Sequence, residues 1–137
     1  IVNSVETVVE FKARYIHIIE KVISFLEKKS DLYVRKDIEK IKNFINSHFC
    51  DSSISLNLIA DKIGLTPAYV SKLFKQELGI SYVEYITDLR INRARELLEN
   101  HNYRIYEIAE MTGYSNTNYF ISLFKKHVGV SPAEYRK

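Results

Sequence analysis

The residues in this chain best placed to do chemistry are short polar and basic side chains in two helical stretches. Ala68, Ser71, Lys72, Lys75 and Gln76 make the first set; Thr117, Asn118, Ser122, Lys125 and Lys126 make the second. Steps of three and four positions put most of each set on one helix face. Such a face suits hydrogen bonding to base edges and to phosphate. Lys72 can reach guanine acceptors, Asn118 can pair with adenine, and Ala68 can touch a thymine methyl. Ser71 and Ser122 suit either a base edge or a phosphate. No comparable set serves catalysis. His17, His48, His101 and His127 are scattered without ligand spacing, so no metal site is expected. There is no nucleophile–base pairing, no phosphate-cradling glycine loop and no carboxylate pair in an apolar setting. Neither an enzyme nor a cofactor is expected. Cys50 is the one cysteine, which excludes an intrachain disulfide and fits a reducing compartment.

The elements that hold these faces are written twice in the chain. Ile59, Ala60 and Gly64 recur 49 positions later as Ile108, Ala109 and Gly113. After one extra residue in the turn, Tyr69, Leu73, Phe74, Lys75, Gly79, Ser81, Glu84 and Tyr85 recur 50 positions later as Tyr119, Leu123, Phe124, Lys125, Gly129, Ser131, Glu134 and Tyr135. Two copies are too few for a solenoid, which needs about three repeats. They are a pair of similar units.

In the first unit Ser55 is a good N-cap for a short helix over 56–63, and Gly64 supplies a left-handed exit. Thr66 as N-cap and Pro67 at the first helical position restart the helix, which runs to about Leu78. Helix, tight turn, helix is the helix-turn-helix unit. Its inward residues are Val70, Leu73, Phe74 and Leu78; those of the second unit are Phe120, Leu123, Phe124 and Val128. The second unit is expected over 105–112 and 117–128, with Gly113 in its turn and Asn116 as cap. Arg104 is a poor cap, so that helix start is expected to be weaker or to borrow Asn102. Ser131-Pro132 with Glu134 opens a terminal turn whose Tyr135 locks onto the unit. The recurrent tyrosines Tyr69, Tyr85, Tyr119 and Tyr135 read as packing residues.

Between the units Ser81 and Glu84 form a capping box that opens a long helix over 82–100. Its expected stripe is Val83, Ile86, Leu89, Arg90, Ala94, Leu97 and Leu98. Its roughly 19 residues would span about 28 Å, close to the roughly 34 Å between successive major grooves. Arg90 and Arg93 can touch phosphates, whereas Arg95 with Glu99 reads as a surface i,i+4 pair.

Upstream, residues 3–29 are amphipathic. Val5, Val8, Tyr15, Ile19, Val22 and Leu26 keep a heptad spacing, Val9, Ile16 and Ile23 widen it, and Lys12 is its one polar member. The segment either lies on the domain that follows or is a dimerising or signal-transmitting helix. Its width tilts toward the second reading. A polar break and hinge is expected over 28–31, then a second helix over 32–49 that buries Ile38, Ile41, Phe44, Ile45 and Phe49.

The totals agree with a helical domain. Of 137 residues, 46% are hydrophobic and 27% charged, and two prolines with four glycines leave few interruptions. The net charge of +3 permits a nucleic-acid partner without demanding one. No apolar run approaches the roughly 18 residues that span a bilayer, and no leader pattern is present, so a cytoplasmic location is expected (the cytoplasmic side if the full-length protein is tethered to a membrane). The chain opens on Ile1, and a longer protein is expected.

The chain resembles the DNA-binding domain of AraC/XylS-family transcriptional regulators over about residues 38–137. The carriers are IADKIGLTPAYVSKLFKQELGISYVEYI, the linker RINRARELL and the signature IAEMTGYSNTNYFISLFKKHVGVSPAEYR. The resemblance implies an all-α fold: two helix-turn-helix units, at about 55–79 and 104–129, joined by a long linker helix and preceded by an amphipathic connector over 1–37. It implies a bacterial regulator that binds double-stranded promoter DNA through two recognition helices in successive major grooves. Base contacts fall to Ala68, Ser71, Lys72, Thr117, Asn118 and Ser122. Lys75, Gln76, Arg90, Arg93, Lys125 and Lys126 would hold the DNA backbone. Ser122 stands where many relatives carry arginine and Ala68 is small, so weaker base readout is implied there. RNA polymerase, a homodimer through residues 1–30 and an upstream receiver or sensor domain are the further partners implied. A helical protein-interaction module without DNA is the alternative.

Overall fold

The computed structural model describes the backbone of residues 2–137 and the side chains of residues 7–137; the side chain of Val5 lies outside the described residues. Seven helices follow one another, with no strand among the described residues: α1 (Val2–His48), α2 (Leu56–Ile63), α3 (Pro67–Leu78), α4 (Tyr82–Leu98), α5 (Ile105–Met111), α6 (Thr117–Val128) and α7 (Pro132–Arg136). The chain divides into two units, residues 1–37 and 38–137.

The break expected over 28–31 is absent, and α1 is helical through Lys28, Lys29, Ser30 and Asp31. These residues are polar, but none is proline or glycine, and an exposed helix tolerates them at a few tenths of a kcal/mol each, on the order of their propensity differences. Within the first unit the large apolar side chains of the seam are solvent-exposed; Ile19 at 41% and Val9 at 60% bracket the seam residues.

In the second unit each helix-turn-helix sits in an equivalent frame. The end of α1 opens the first frame, α2 and α3 fill it, and α4 closes it. α4 then opens the second frame, α5 and α6 fill it, and α7 closes it. The cores repeat with the frames. Ile41, Ile45, Ile59, Val70 and Phe74 are fully buried in the first. Leu98, Ile108, Phe120 and Phe124 are buried in the second. The closing helices use the same ring contact: Tyr85 meets Phe74 edge-on at 5.5 Å, and Tyr135 meets Phe124 edge-on at 5.6 Å. Each closing helix also returns an arginine to the carbonyls that the opening helix leaves unpaired. Arg90 Nε donates to Phe49 O at 2.6 Å, and Arg136 Nε donates to Leu98 O at 3.2 Å.

Three details of the linker helix differ from expectation. α4 stops at Leu98 rather than Asn100, giving 17 residues and roughly 25 Å. Its inward stripe includes Ile91, 3% exposed, and not Val83, 54% exposed. Glu99 lies past the helix, so no Arg95–Glu99 pair forms; Arg95 Nε has no hydrogen-bond partner, and Arg93 pairs with Glu96 instead at 2.7 Å.

Candidate nucleic-acid interface

Both candidate reading helices are started by their own side chains. Thr66 Oγ1 accepts from the Tyr69 N–H at 3.3 Å, and Pro67 stands at the first helical position, where its missing N–H is no loss. Asn116 Oδ1 accepts from the Tyr119 N–H at 2.9 Å and does the same for α6. The turns ahead of them differ. Gly64, at φ 80°, closes α2 with its N–H on Ala60 O. In the second unit Thr112 ends α5 with its hydroxyl donating to Ile108 O at 2.8 Å, and Gly113 follows at φ 95°. The extra residue of the second turn is accommodated there. Of the two expectations for the start of α5, the weaker cap is the one found: no side chain caps it, and Asn102 is not borrowed. Arg104 has no acceptor to offer, so only the reciprocal half of a capping box forms, with Glu107 Oε2 accepting from the Arg104 N–H at 2.7 Å.

The expected contact residues divide into three groups. Ala68, Ser71, Lys72, Lys75 and Gln76 are exposed together along α3. Asn118, Ser122, Lys125 and Lys126 are exposed together along α6, with Thr117 half-buried at its start. Lys72, Lys125 and Lys126 carry no salt bridge among the described residues, so their charge is unspent, and Lys75 adds a small favourable field at Glu84. Arg93 is exposed but paired with Glu96.

Arg90 stands apart from the exposed sets, half-buried and engaged by its own chain. Its guanidinium is held by its own chain: Nε on Phe49 O, the second terminal nitrogen on Asp51 O at 2.9 Å, and Cζ 5.0 Å from the centre of the Tyr114 ring. It also fills the space beside Gly113, where a β-carbon would lie 2.9 Å from its atoms. Arg90 thus latches the end of α1, the linker helix and the second turn together. Nothing local signals this, because the partners lie about forty residues upstream and about twenty downstream.

Tyr114 was not singled out from the sequence, yet it is 7% exposed and central to the second core. Burial pushes its phenol up, with Arg90 opposing. Its hydroxyl lies near Arg90 and Thr87 without a well-formed hydrogen bond. Tyr119 corrects the packing assignment in the other direction. It is 58% exposed, one helical turn from Ser122, and its ring lies 6.0 Å from that of Tyr114. Its recurrence at the Tyr69 position suggested core, but recurrence does not distinguish core from a shared surface role.

The remaining titratable groups serve the frames. Ser81 holds the Glu84 carboxyl below its ordinary pKa by donating its backbone N–H at 2.7 Å. Ser53 does likewise for Asp51 through its hydroxyl and N–H at 2.7 and 2.9 Å, fixing the turn after α1. Burial raises the Cys50 thiol, with Arg93 and Arg90 opposing, which leaves it a poor nucleophile.

Residues 59–137 match a family model described as a helix-turn-helix domain. The Msm operon regulatory protein of Streptococcus mutans is 35% identical over 115 residues, covering 84% of this chain and 41% of that protein. The chain belongs to the AraC/XylS family. Two solved structures of family domains superpose on it. The C-terminal domain of AraT, a response regulator from Geobacillus stearothermophilus, is 40% identical with a TM-score of 0.71, covering 73% of this chain and 83% of that one. The C-terminal domain of the two-component response regulator yesN from Fusobacterium nucleatum is 36% identical with a TM-score of 0.69, covering 72% and 96%. The AraC/XylS helix-turn-helix pair is a DNA-binding transcription-regulator domain, and α3 and α6 are its second helices. The chain spans about two fifths of the streptococcal relative. No helix among the described residues is long and apolar enough to cross a membrane.

Proposed function

We propose that this chain is the output end of a cytoplasmic regulator that reads promoter DNA in two successive major grooves. The observation that carries the reading is the pair of equivalent frames with unlike outer faces: the same core holds Ala68 and Lys72 outward in one unit and Asn118 and Ser122 at the matching positions of the other. Ala68, Ser71 and Lys72 take the bases of one half-site, with Lys72 on guanine. Thr117, Asn118 and Ser122 take the other, with Asn118 on adenine. Lys75, Gln76, Lys125 and Lys126 hold phosphates, Tyr119 adds a hydroxyl beside them, and Arg93 joins once Glu96 releases it. Residues 1–37 act as a connector, pair two copies through residues 1–30, and carry the signal of an upstream receiver or sensor domain. The response-regulator origin of the two solved neighbours supports a receiver. RNA polymerase is the partner that converts binding into altered transcription.

Titrating the protein with promoter fragments at two salt concentrations tests this. Specific binding should weaken steeply with salt, the logarithmic slope falling by about 0.9 for each phosphate neutralised. Absence of DNA binding at low salt would overturn the reading in favour of a helical protein-interaction module.

A further inference from the structure

The connector part of α1 is more ordered in its chemistry than an apolar seam alone. Written as a heptad with Ile19 and Leu26 at position a, the seam occupies a and d, and its e shoulder is Val9, Ile16 and Ile23. The other shoulder, position g, is Phe11, Ile18, Phe25 and Leu32, all at least half exposed. With both shoulders apolar, the charges that usually occupy e and g stand one step further out, sorted by sign. Beside the e shoulder, at position b, lie Glu20 and Glu27; beside the g shoulder, at position c, lie Arg14, Lys21 and Lys28. One edge of the apolar face is therefore acidic and the other basic.

That asymmetry selects both the occupant of the face and its direction. In a parallel pair, the g shoulder of one helix meets the e shoulder of the other, so each basic edge lies along the acidic edge of the second copy, twice by symmetry. In an antiparallel pair g meets g and e meets e, which sets basic edge on basic edge and acidic on acidic. We infer that residues 8–32 bind a second copy of this chain as a parallel, in-register helix pair, with Arg14 and Lys21 of one copy flanking Glu20 and Glu27 of the other. The inference rests on the homodimer reading above and adds its direction. Two lysines stand on the seam, Lys12 at position a and Lys29 at position d near the end of the pair, and each faces its own counterpart in this register. Both can carry the ammonium out past the apolar shoulder on a flexible stem; a polar a residue favours a defined register at some cost in affinity.

Cross-linking of the full chain separates the direction from the dimer itself. With Cys50 replaced by serine, single Val8→Cys and Leu26→Cys variants stand near opposite ends of the pair. Parallel pairing predicts that each variant oxidises to its own disulfide-linked dimer and that a mixture gives no Val8–Leu26 hybrid in preference. A preferred hybrid, with neither variant linking to itself, overturns the direction and leaves the homodimer reading standing. Sedimentation of the same proteins must show two copies in the micromolar range; a monomer overturns both readings, and three or more copies overturn the pair. As a second variant, Glu20→Lys with Glu27→Lys makes both edges basic. Alone it should dimerise several-fold more weakly than wild type, and mixing it with Lys21→Glu, Lys28→Glu should restore association. Unchanged self-association of the all-basic variant overturns the charge argument.

Discussion

Replacing Gly113 with alanine tests the latch that joins the two reading units. Two costs act there, and Gly64→Ala isolates one of them. Both glycines hold positive φ, 80° at Gly64 and 95° at Gly113, but a β-carbon at Gly64 meets nothing within 4 Å. Gly64→Ala should therefore show left-handed strain alone, about 1–2 kcal/mol. At Gly113 the β-carbon would sit 2.9 Å from the Arg90 guanidinium. A free arginine would swing aside cheaply, but this one is held by two carbonyls and a ring. Displacing it forfeits hydrogen bonds from a charged donor worth about 1.5–3 kcal/mol when sheltered, and the bond to Asp51 O counts for less because it is exposed. Gly113→Ala should thus cost about 3–5 kcal/mol in urea unfolding of the full chain. In an Arg90→Ala background the obstruction is gone, and the same change should fall back to about 1–2 kcal/mol. Equal costs at the two glycines, or additivity with Arg90→Ala, would refute the latch.

Phe124→Ala, which empties a fully buried ring site between Phe120 and Tyr135, should destabilise by about 3–5 kcal/mol. A melting curve like that of the wild type would mean that the second core is drawn wrongly. Lys72→Ala should leave stability unchanged and weaken specific DNA binding by about 1–3 kcal/mol, measured against a set of single-base variants of the site; unchanged preference at every base would remove Lys72 from the readout. The Glu84 carboxyl is depressed by Ser81, so the stability it adds is fully present above the unfolded value of about 4.3 and is lost as pH falls through the lower folded value. Glu84→Gln should flatten the acid limb of the stability–pH curve, and an identical limb would exclude this capping box as a contributor.

What could be read before the fold was known was what repeats or what is local. Phe74 and Phe124, Gly64 and Gly113, and the caps Ser55, Thr66, Ser81, Asn116 and Ser131 all depend on neighbours within a few residues or on the comparison of one unit with the other, and their places agree with the structure. What stayed hidden was set by distance or by competition. The role of Arg90 depends on carbonyls 41 and 39 residues away, which no periodicity encodes. Ile91 displaces Val83 from the core because the axis of α4 is fixed by both frames at once, not by its own apolar count. The polar run over 28–31 predicts a hinge, but polarity alone does not end a helix, and no residue there breaks α1. The exposure of α3 and α6 follows from their inward faces by subtraction, while the capture of Arg90 by distant carbonyls and the surfacing of Tyr119 do not.

Because α4 closes one frame and opens the next, no single cut of the chain yields two whole halves. A protease that nicks the Asn100–Tyr103 turn would leave the first frame complete but strip cover from Ala94, Leu97 and Leu98, which the second core otherwise buries. The released fragment would not be a smaller, inert reader. It would carry a fresh apolar surface at its new end and would self-associate or be cleared, so the chain loses both reading heads together instead of persisting as one.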